Sequence, residues 1–237
     1  MYNLHGGEKK KGENMIKNVL ASIVATVTFG SVAMAEFVVV NNPVTDTVGF
    51  YSDGYDSKGS YTYAQSGAQG FTTEENYTMS SIRWWGSSNG FNGQGIENFQ
   101  AFQLIVWDSE FNEQCWSSKI NMDSVTVTPT GDENFFGQPV YEFYVPVSFN
   151  LNAGSYFMNI GVLLNDSQGD QFVWSQGQDV NNFWQTSPFG PGGWGSWNPL
   201  PPSFIGSTPG GAFVMTAPSP GALALLGFAG LVTRRRR

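Results

Sequence analysis

The sequence predicts an all-β protein, a two-sheet antiparallel β-sandwich. Three observations carry that prediction. No stretch between residues 36 and 217 sustains the 3.6-residue apolar period of an amphipathic helix, whereas apolar and polar residues alternate with period two in segment after segment. The alternating segments are short and rich in β-branched and aromatic residues, and clusters of Gly, Asn, Asp, Ser and Pro separate them. About ten such segments without a helix between them pack as two sheets face to face.

The clearest strand runs from Tyr141 to Phe149, where Tyr141, Phe143, Val145, Val147 and Phe149 share one face and Glu142, Tyr144 and Ser148 the other. Pro146 within it lacks a backbone N–H, which predicts a sheet edge or a bulge there. Phe102, Leu104 and Val106 alternate with Gln103, Ile105 and Trp107; Tyr156, Met158 and Ile160 with Phe157 and Asn159; Val125 and Val127 with Thr126 and Thr128. Phe37 to Val40, Ser60 to Gln65, Ser80 to Trp85, Gln171 to Ser175 and Gly211 to Thr216 complete the set. Asn150-Leu151-Asn152-Ala153-Gly154 reads as a tight hairpin connection, and residues 186–209, rich in Gly, Pro, Ser and Trp, as a long surface loop. No internal repeat recurs at a fixed period, which argues against a propeller or solenoid.

Both ends read as address labels. Lys9, Lys10, Lys11 and Lys17 precede an apolar run from Val19 to Val32, and Ala33-Met34-Ala35 is a small-residue cleavage site, together a secretory signal helix over residues 1–35. Met15 directly precedes Ile16-Lys17 and is an alternative start. Cleavage after Ala35 makes Glu36 the first mature residue. The predicted sandwich domain covers 36–215, and 216–237 forms a tail with a short hydrophobic helix. The tail reads Pro218-Ser219-Pro220, then the apolar run Gly221 to Val232, then Thr233 and Arg234, Arg235, Arg236 and Arg237. Twelve apolar residues make roughly 18 Å of helix at 1.5 Å per residue, short of a hydrocarbon core about 30 Å thick. Extending the helix backwards meets Pro218 and Pro220, which break it. The arginines stay on the cytoplasmic side, so the tail engages the membrane transiently with the body outside. The plainer alternative is an ordinary C-terminal anchor helix.

Proline-bracketed turn, short apolar helix and arginine cluster resemble the C-terminal signal of bacterial PEP-CTERM proteins. The family motif has Glu between its prolines where this chain has Ser219. The resemblance implies recognition by an exosortase, a membrane transpeptidase, after signal peptidase has acted at the other end, and delivery to the cell surface or extracellular matrix. The body is similar to a module recurring in the same family, on Ile82-Arg83-Trp84-Trp85-Gly86, a strand like Phe102 to Asp108, the segment Leu151 to Ile160 with its Ala153-Gly154 turn, and Trp174 and Trp184. That likeness implies a jelly-roll-like form of the sandwich and no established activity.

Charge and composition narrow the function classes. Residues 36–217 contain three basic residues, Lys58, Arg83 and Lys119, against seventeen acidic ones, a formal charge of −14 where the whole chain has −8. Such a body has too few cations to displace counterions from nucleic acid and is repelled by anionic lipid. The only histidine is His5, in the leader, so the mature body has no histidine for triad catalysis or for a zinc site. The lone Cys115 forms no internal disulfide; it is expected buried beside Trp116, or else paired between chains.

The candidate site residues follow from those limits. Trp184, Trp194 and Trp197 stand among glycines and prolines, where exposed indoles could stack on sugar faces of an extracellular polysaccharide; the alternative is that they clamp the loop. Trp84, Trp85, Trp107 and Trp174 are expected to fill the core. No cofactor is required, but calcium would suit the oxygen-rich segments with Asp53, Asp56, Asp166 and Asp170, which are also ordinary turn formers. Glycoside hydrolysis needs two carboxylates across a cleft, for which Glu110, Glu113 and Glu142 are candidates by type only. The expectation is therefore a non-enzymatic surface or matrix protein, structural or adhesive, with a carbohydrate-binding module as the alternative.

Overall fold

The computed structural model describes residues 35–43, 49–57, 60–164, 170–178, 183–186, 197–199 and 211–218. In chain order the strands are β1 (Ala35–Asn41), β2 (Phe50–Tyr51), β3 (Asp53–Ser57), β4 (Ser60–Thr73), β5 (Tyr77–Ser88), β6 (Phe99–Asp108), β7 (Gln114–Asn121), β8 (Thr126–Glu133), β9 (Pro139–Leu151), β10 (Gly154–Leu164), β11 (Phe172–Trp174), β12 (Phe183–Thr186), β13 (Trp197–Pro199) and β14 (Phe213–Pro218). The described helices are two 3-10 turns, Gly95–Asn98 and Met122–Ser124. No described helix is long and apolar enough to cross a membrane. The expected signal helix with Ala33, and the tail from Ser219 and Pro220 through Arg234, Arg235, Arg236 and Arg237, lie outside the described residues. Contacts group residues 37–217 into one compact unit that carries both sheets; of the second unit, 1–36 with 218–237, only Ala35, Glu36 and Pro218 are described.

The fold is the two-sheet sandwich the alternation predicts. In the first sheet β5 is central: β9 pairs along one side of it, and β14 and β11 share the other. β8 continues the sheet beyond β9, β1 beyond β14 and β2 beyond β11. The second runs β13-β12-β4-β3-β10-β6-β7, with β4 also paired to β10. β3 runs parallel to β10, whereas β4 runs antiparallel to both.

The inward faces follow the period-two reading. Ile82 and Trp84 of β5, Phe143 and Val145 of β9 and Phe213 and Met215 of β14 meet Phe102, Leu104 and Val106 of β6 and Met158, Ile160 and Val162 of β10. Trp84 lies at the centre, edge-on to Phe102 at 4.8 Å across the sheets and stacked on Phe143 at 5.6 Å within its own. Burying each of these large aromatic and aliphatic side chains contributes about 1.5–3 kcal/mol. Pro146 sits where the pairing of β9 with β5 slips, opposite Ser81, and beyond Tyr144, the last β9 residue that β8 pairs. A missing N–H is harmless in that position.

Several expectations need correction. Asn150 to Gly154 does not close a hairpin: β9 belongs to the first sheet and β10 to the second, so the turn carries the chain between layers. The link between β4 and β5 crosses in the same way, and the two arches are bonded together. The Thr73 hydroxyl donates to the Asn152 carbonyl at 2.8 Å, and the Ala153 N–H to Asn76 Oδ1 at 2.8 Å. Asp53-Gly54-Tyr55-Asp56 is strand β3, paired with β4, not a turn. Thr186 and Trp197 to Pro199, placed in the long loop, pair as β12 and β13. β7 carries no strong alternation in sequence, yet it ends the second sheet. It turns Trp116 inward to stack on Phe149 at 4.2 Å, which turns Cys115 outward, so the thiol is exposed and not buried. Of the four expected core tryptophans, Trp84 and Trp174 fill the space between sheets. Trp85 is buried in a separate cluster with Ala212 and Val214, and Trp107 is half-buried beside Phe111.

Candidate functional site

One end of the sandwich carries a cavity of about 410 Å³, between the segment that follows β5 and the hairpin joining β8 to β9. Two buried or half-buried side chains fix the backbone of its walls. Asp170, fully buried, accepts the N–H of Asn92 on one carboxylate oxygen and those of Gln94 and Gly95 on the other, at 2.9 and 2.8 Å. Opposite, Asn134 Oδ1 accepts the N–H groups of Phe136 and Gln138, both at 2.9 Å, while its amide nitrogen donates to Ser87 Oγ at 2.7 Å and to the Ser88 carbonyl at 3.2 Å. Side chains that satisfy several backbone donors at once hold a loop in one conformation without a regular ladder.

Two glycines shape the floor. Gly90 and Gly95 have φ of 69° and 62°, a region costly for residues with a Cβ. Their bare Cα atoms also leave room for polar side chains: a methyl on Gly90 would lie 2.3 Å from the Gln138 amide carbon, and one on Gly95 would lie 2.5 Å from Glu97 Oε2. The cavity lining includes Ser88, Gln94, Glu97, Gln138, Pro139 and Tyr141. Its single formal charge is the Glu97 carboxylate. Beside the cavity, Phe91 packs edge-on against Phe136 at 5.3 Å and Phe136 against Phe135 at 5.6 Å. Phe91 and Phe135 are each 69% exposed, an unusual placement for two phenylalanines on a chain so rich in burial sites.

The residues singled out from sequence lie elsewhere. Trp184, on β12, is half-buried against Phe111 at 5.6 Å and Phe157 at 5.9 Å, on the face of the second sheet away from the core. Phe111 reaches that face from the β6–β7 turn with φ of 59°, and Asp108 Oδ1 braces the turn by accepting the N–H groups of Glu110 and Asn112. Trp197 lies in register opposite Thr186, its side chain outside the described set, and Trp194 is outside the described residues altogether. Trp184 therefore joins an aromatic cluster but does not line the cavity.

The acidic candidates are not gathered either. Asp170 commits both oxygens to backbone donors. Asp53 and Asp56 have described backbone only, and Asp166 lies outside the described residues. Among the described residues no group of three or more His, Cys, Asp or Glu could hold a metal ion. Glu110 accepts from Asn112 Nδ2 at 2.9 Å in the β6–β7 turn, where Glu113 also lies, whereas Glu142 pairs with Arg83 at 3.4 Å in the other sheet.

Cys115 has its thiol pushed above the ordinary 9.0, by partial burial first and then by the carboxylates of Asp108 and Glu113. It is a weak nucleophile at neutral pH.

The cavity does not stand out in the sequence because Gln94, Glu97 and Gln138 lie in glycine-rich turns and Ser88 and Tyr141 in strands, with no motif joining them. The available signal was Asn89-Gly90-Phe91-Asn92-Gly93 and Asn134-Phe135-Phe136-Gly137, phenylalanines set between turn formers where no strand can bury them. No protein-family model, curated protein or solved structure matches the chain.

Proposed function

We propose that this protein is exported and sorted through its tail to the cell envelope or extracellular matrix, where the sandwich serves a non-enzymatic, adhesive or structural role. Signal peptidase acting after Ala35 and an exosortase-type transpeptidase acting near Pro218, Ser219 and Pro220 are its processing partners. The observation that carries the adhesive reading is the pair Phe91 and Phe135, each exposed on a loop whose backbone Asp170 or Asn134 holds in place. Exposed aromatic rings on a fixed frame lose little conformational freedom on contact, and such anchors dominate binding surfaces. The acidic body keeps the module soluble and away from anionic lipid.

The test replaces both rings, as Phe91→Ser with Phe135→Ser, in the full chain expressed in its host. The adhesive reading expects the double variant to be processed normally and to wash from the surface fraction into the medium. Equal retention of variant and parent contradicts it.

A carbohydrate-binding role is the second reading, supported by Trp184, half-exposed beside Phe111 and Phe157. Loss of glycan binding in Trp184→Ala is its mark.

A further inference from the structure

We propose that the cavity between the Gly90–Glu97 segment and the β8–β9 hairpin is a binding site for a neutral saccharide chain. The inference deepens the adhesive reading and rests on it, since it names the material to which the surface would adhere. It assigns the contact to this end of the sandwich and not to the loop tryptophans.

The chemistry of the lining selects the ligand class. Gln94 and Gln138 each offer an amide that donates and accepts, Glu97 accepts, and Ser88 does both. Those are the partners that sugar hydroxyls need. Among the described residues the side chains of Gln94, Glu97 and Gln138 make no hydrogen bond, so their capacity is open to a ligand. Tyr141 and Pro139 supply apolar surface for a sugar's C–H face, and Phe91 with Phe136 extends that surface past the rim. No cation lines the cavity, and Glu97 makes it negative, so phosphorylated, sulfated or uronic-acid chains are disfavoured. The volume of about 410 Å³ falls in the range of small-molecule sites.

The site is also built in advance. Glu97 folds over Gly95 and Gln138 over Gly90, places that a Cβ on either glycine would occupy. Asp170 fixes the backbone of Gln94 and Gly95, and Asn134 that of Gln138. The backbone that carries Gln94 and Gln138 therefore needs little reordering when a ligand arrives.

The experiment uses the protein recovered from its host and measures binding by calorimetry to cellohexaose, mannohexaose and dextran, with polygalacturonate as the anionic control. The proposal expects at least one neutral probe to bind and polygalacturonate not to. Glu97→Ala and Gln138→Ala should each weaken binding by about tenfold, the loss expected for one hydrogen bond to a ligand. The conservative Glu97→Gln should lose less, and Trp184→Ala should bind like the parent. Glu97 is exposed and unbonded, so its variants keep the fold. Failure of every neutral probe to bind overturns the proposal, as does binding that survives in both alanine variants or that is lost in Trp184→Ala alone. Surface retention is measured on the same preparations: retention without glycan binding sinks this site and leaves the adhesive reading standing, whereas loss of both removes the two together.

Discussion

The carboxylate of Asp170 accepts the backbone N–H of Gly95 at 2.8 Å, joining residues 75 positions apart in the chain. With the N–H groups of Asn92 and Gln94 on the same side chain, one buried aspartate fixes the segment that forms a wall of the cavity. Asp170→Asn keeps the shape but sets an NH2 group against a backbone donor and removes the charge that strengthens the remaining bonds. The expected loss is about 2–4 kcal/mol of stability, read as a lower urea midpoint, with faster amide exchange at Gln94 and Gly95. An unchanged midpoint would mean that the segment holds itself.

Trp84 and Trp174 are both fully buried, but they differ at the indole nitrogen. Trp174 Nε1 donates to the carbonyl of Ala212 at 2.9 Å, whereas Trp84 Nε1 has no acceptor among the described residues. Replacing either with Phe leaves a similar void, and only Trp174→Phe also leaves a buried carbonyl unmatched. Trp174→Phe should therefore cost about 1–2 kcal/mol more than Trp84→Phe in urea unfolding. Equal costs would show that the Trp174 bond contributes nothing net.

Cys115 is exposed yet slow to ionise, because partial burial, Asp108 and Glu113 all favour the neutral thiol. Alkylation by iodoacetamide should be slow at pH 7 in the folded protein and should rise with an apparent midpoint above 9.0. Glu113→Gln removes one negative charge and should move that midpoint down. A raised pKa means that the fold prefers the protonated thiol. The stabilising contribution is present below the ordinary value and fades as the pH climbs through the shifted one.

Arg83 and Glu142 form an ion pair at 3.4 Å on the outward face of the first sheet, with both side chains partly open to solvent. Arg83→Ala should lower stability by less than about 1 kcal/mol, and salt should shrink even that. A larger loss at high salt would mean that Arg83 acts through packing of its alkyl stem.

How much of the molecule the sequence discloses depends on how strongly each segment commits to one face. In β9, Tyr141, Phe143 and Val145 face inward beside Glu142 and Tyr144, and that pattern admits one reading. β7 places Trp116, Ser118 and Ile120 on its inner side, with a serine in the middle, and so its period is diluted. β12 and β13 are too short for any period to show, and glycines and prolines surround them. The turn at Asn152 and Ala153 is local chemistry, and it was visible; which sheet the chain enters next depends on β10 pairing with β6 and β4, and no local residue encodes that. The candidate site was hidden for a related reason. Tryptophans advertise binding in sequence, but Trp184 became part of an aromatic cluster, while Gln94, Glu97 and Gln138 acquire meaning only when distant loops meet.

The most direct test of export and sorting is the intact mass of the protein recovered from its host, fraction by fraction. The account predicts a species that begins at Glu36 and ends between Pro218 and Gly221, found in the surface or medium fraction. A species that runs through Arg237 and stays in the membrane fraction would contradict it and make the tail a plain anchor.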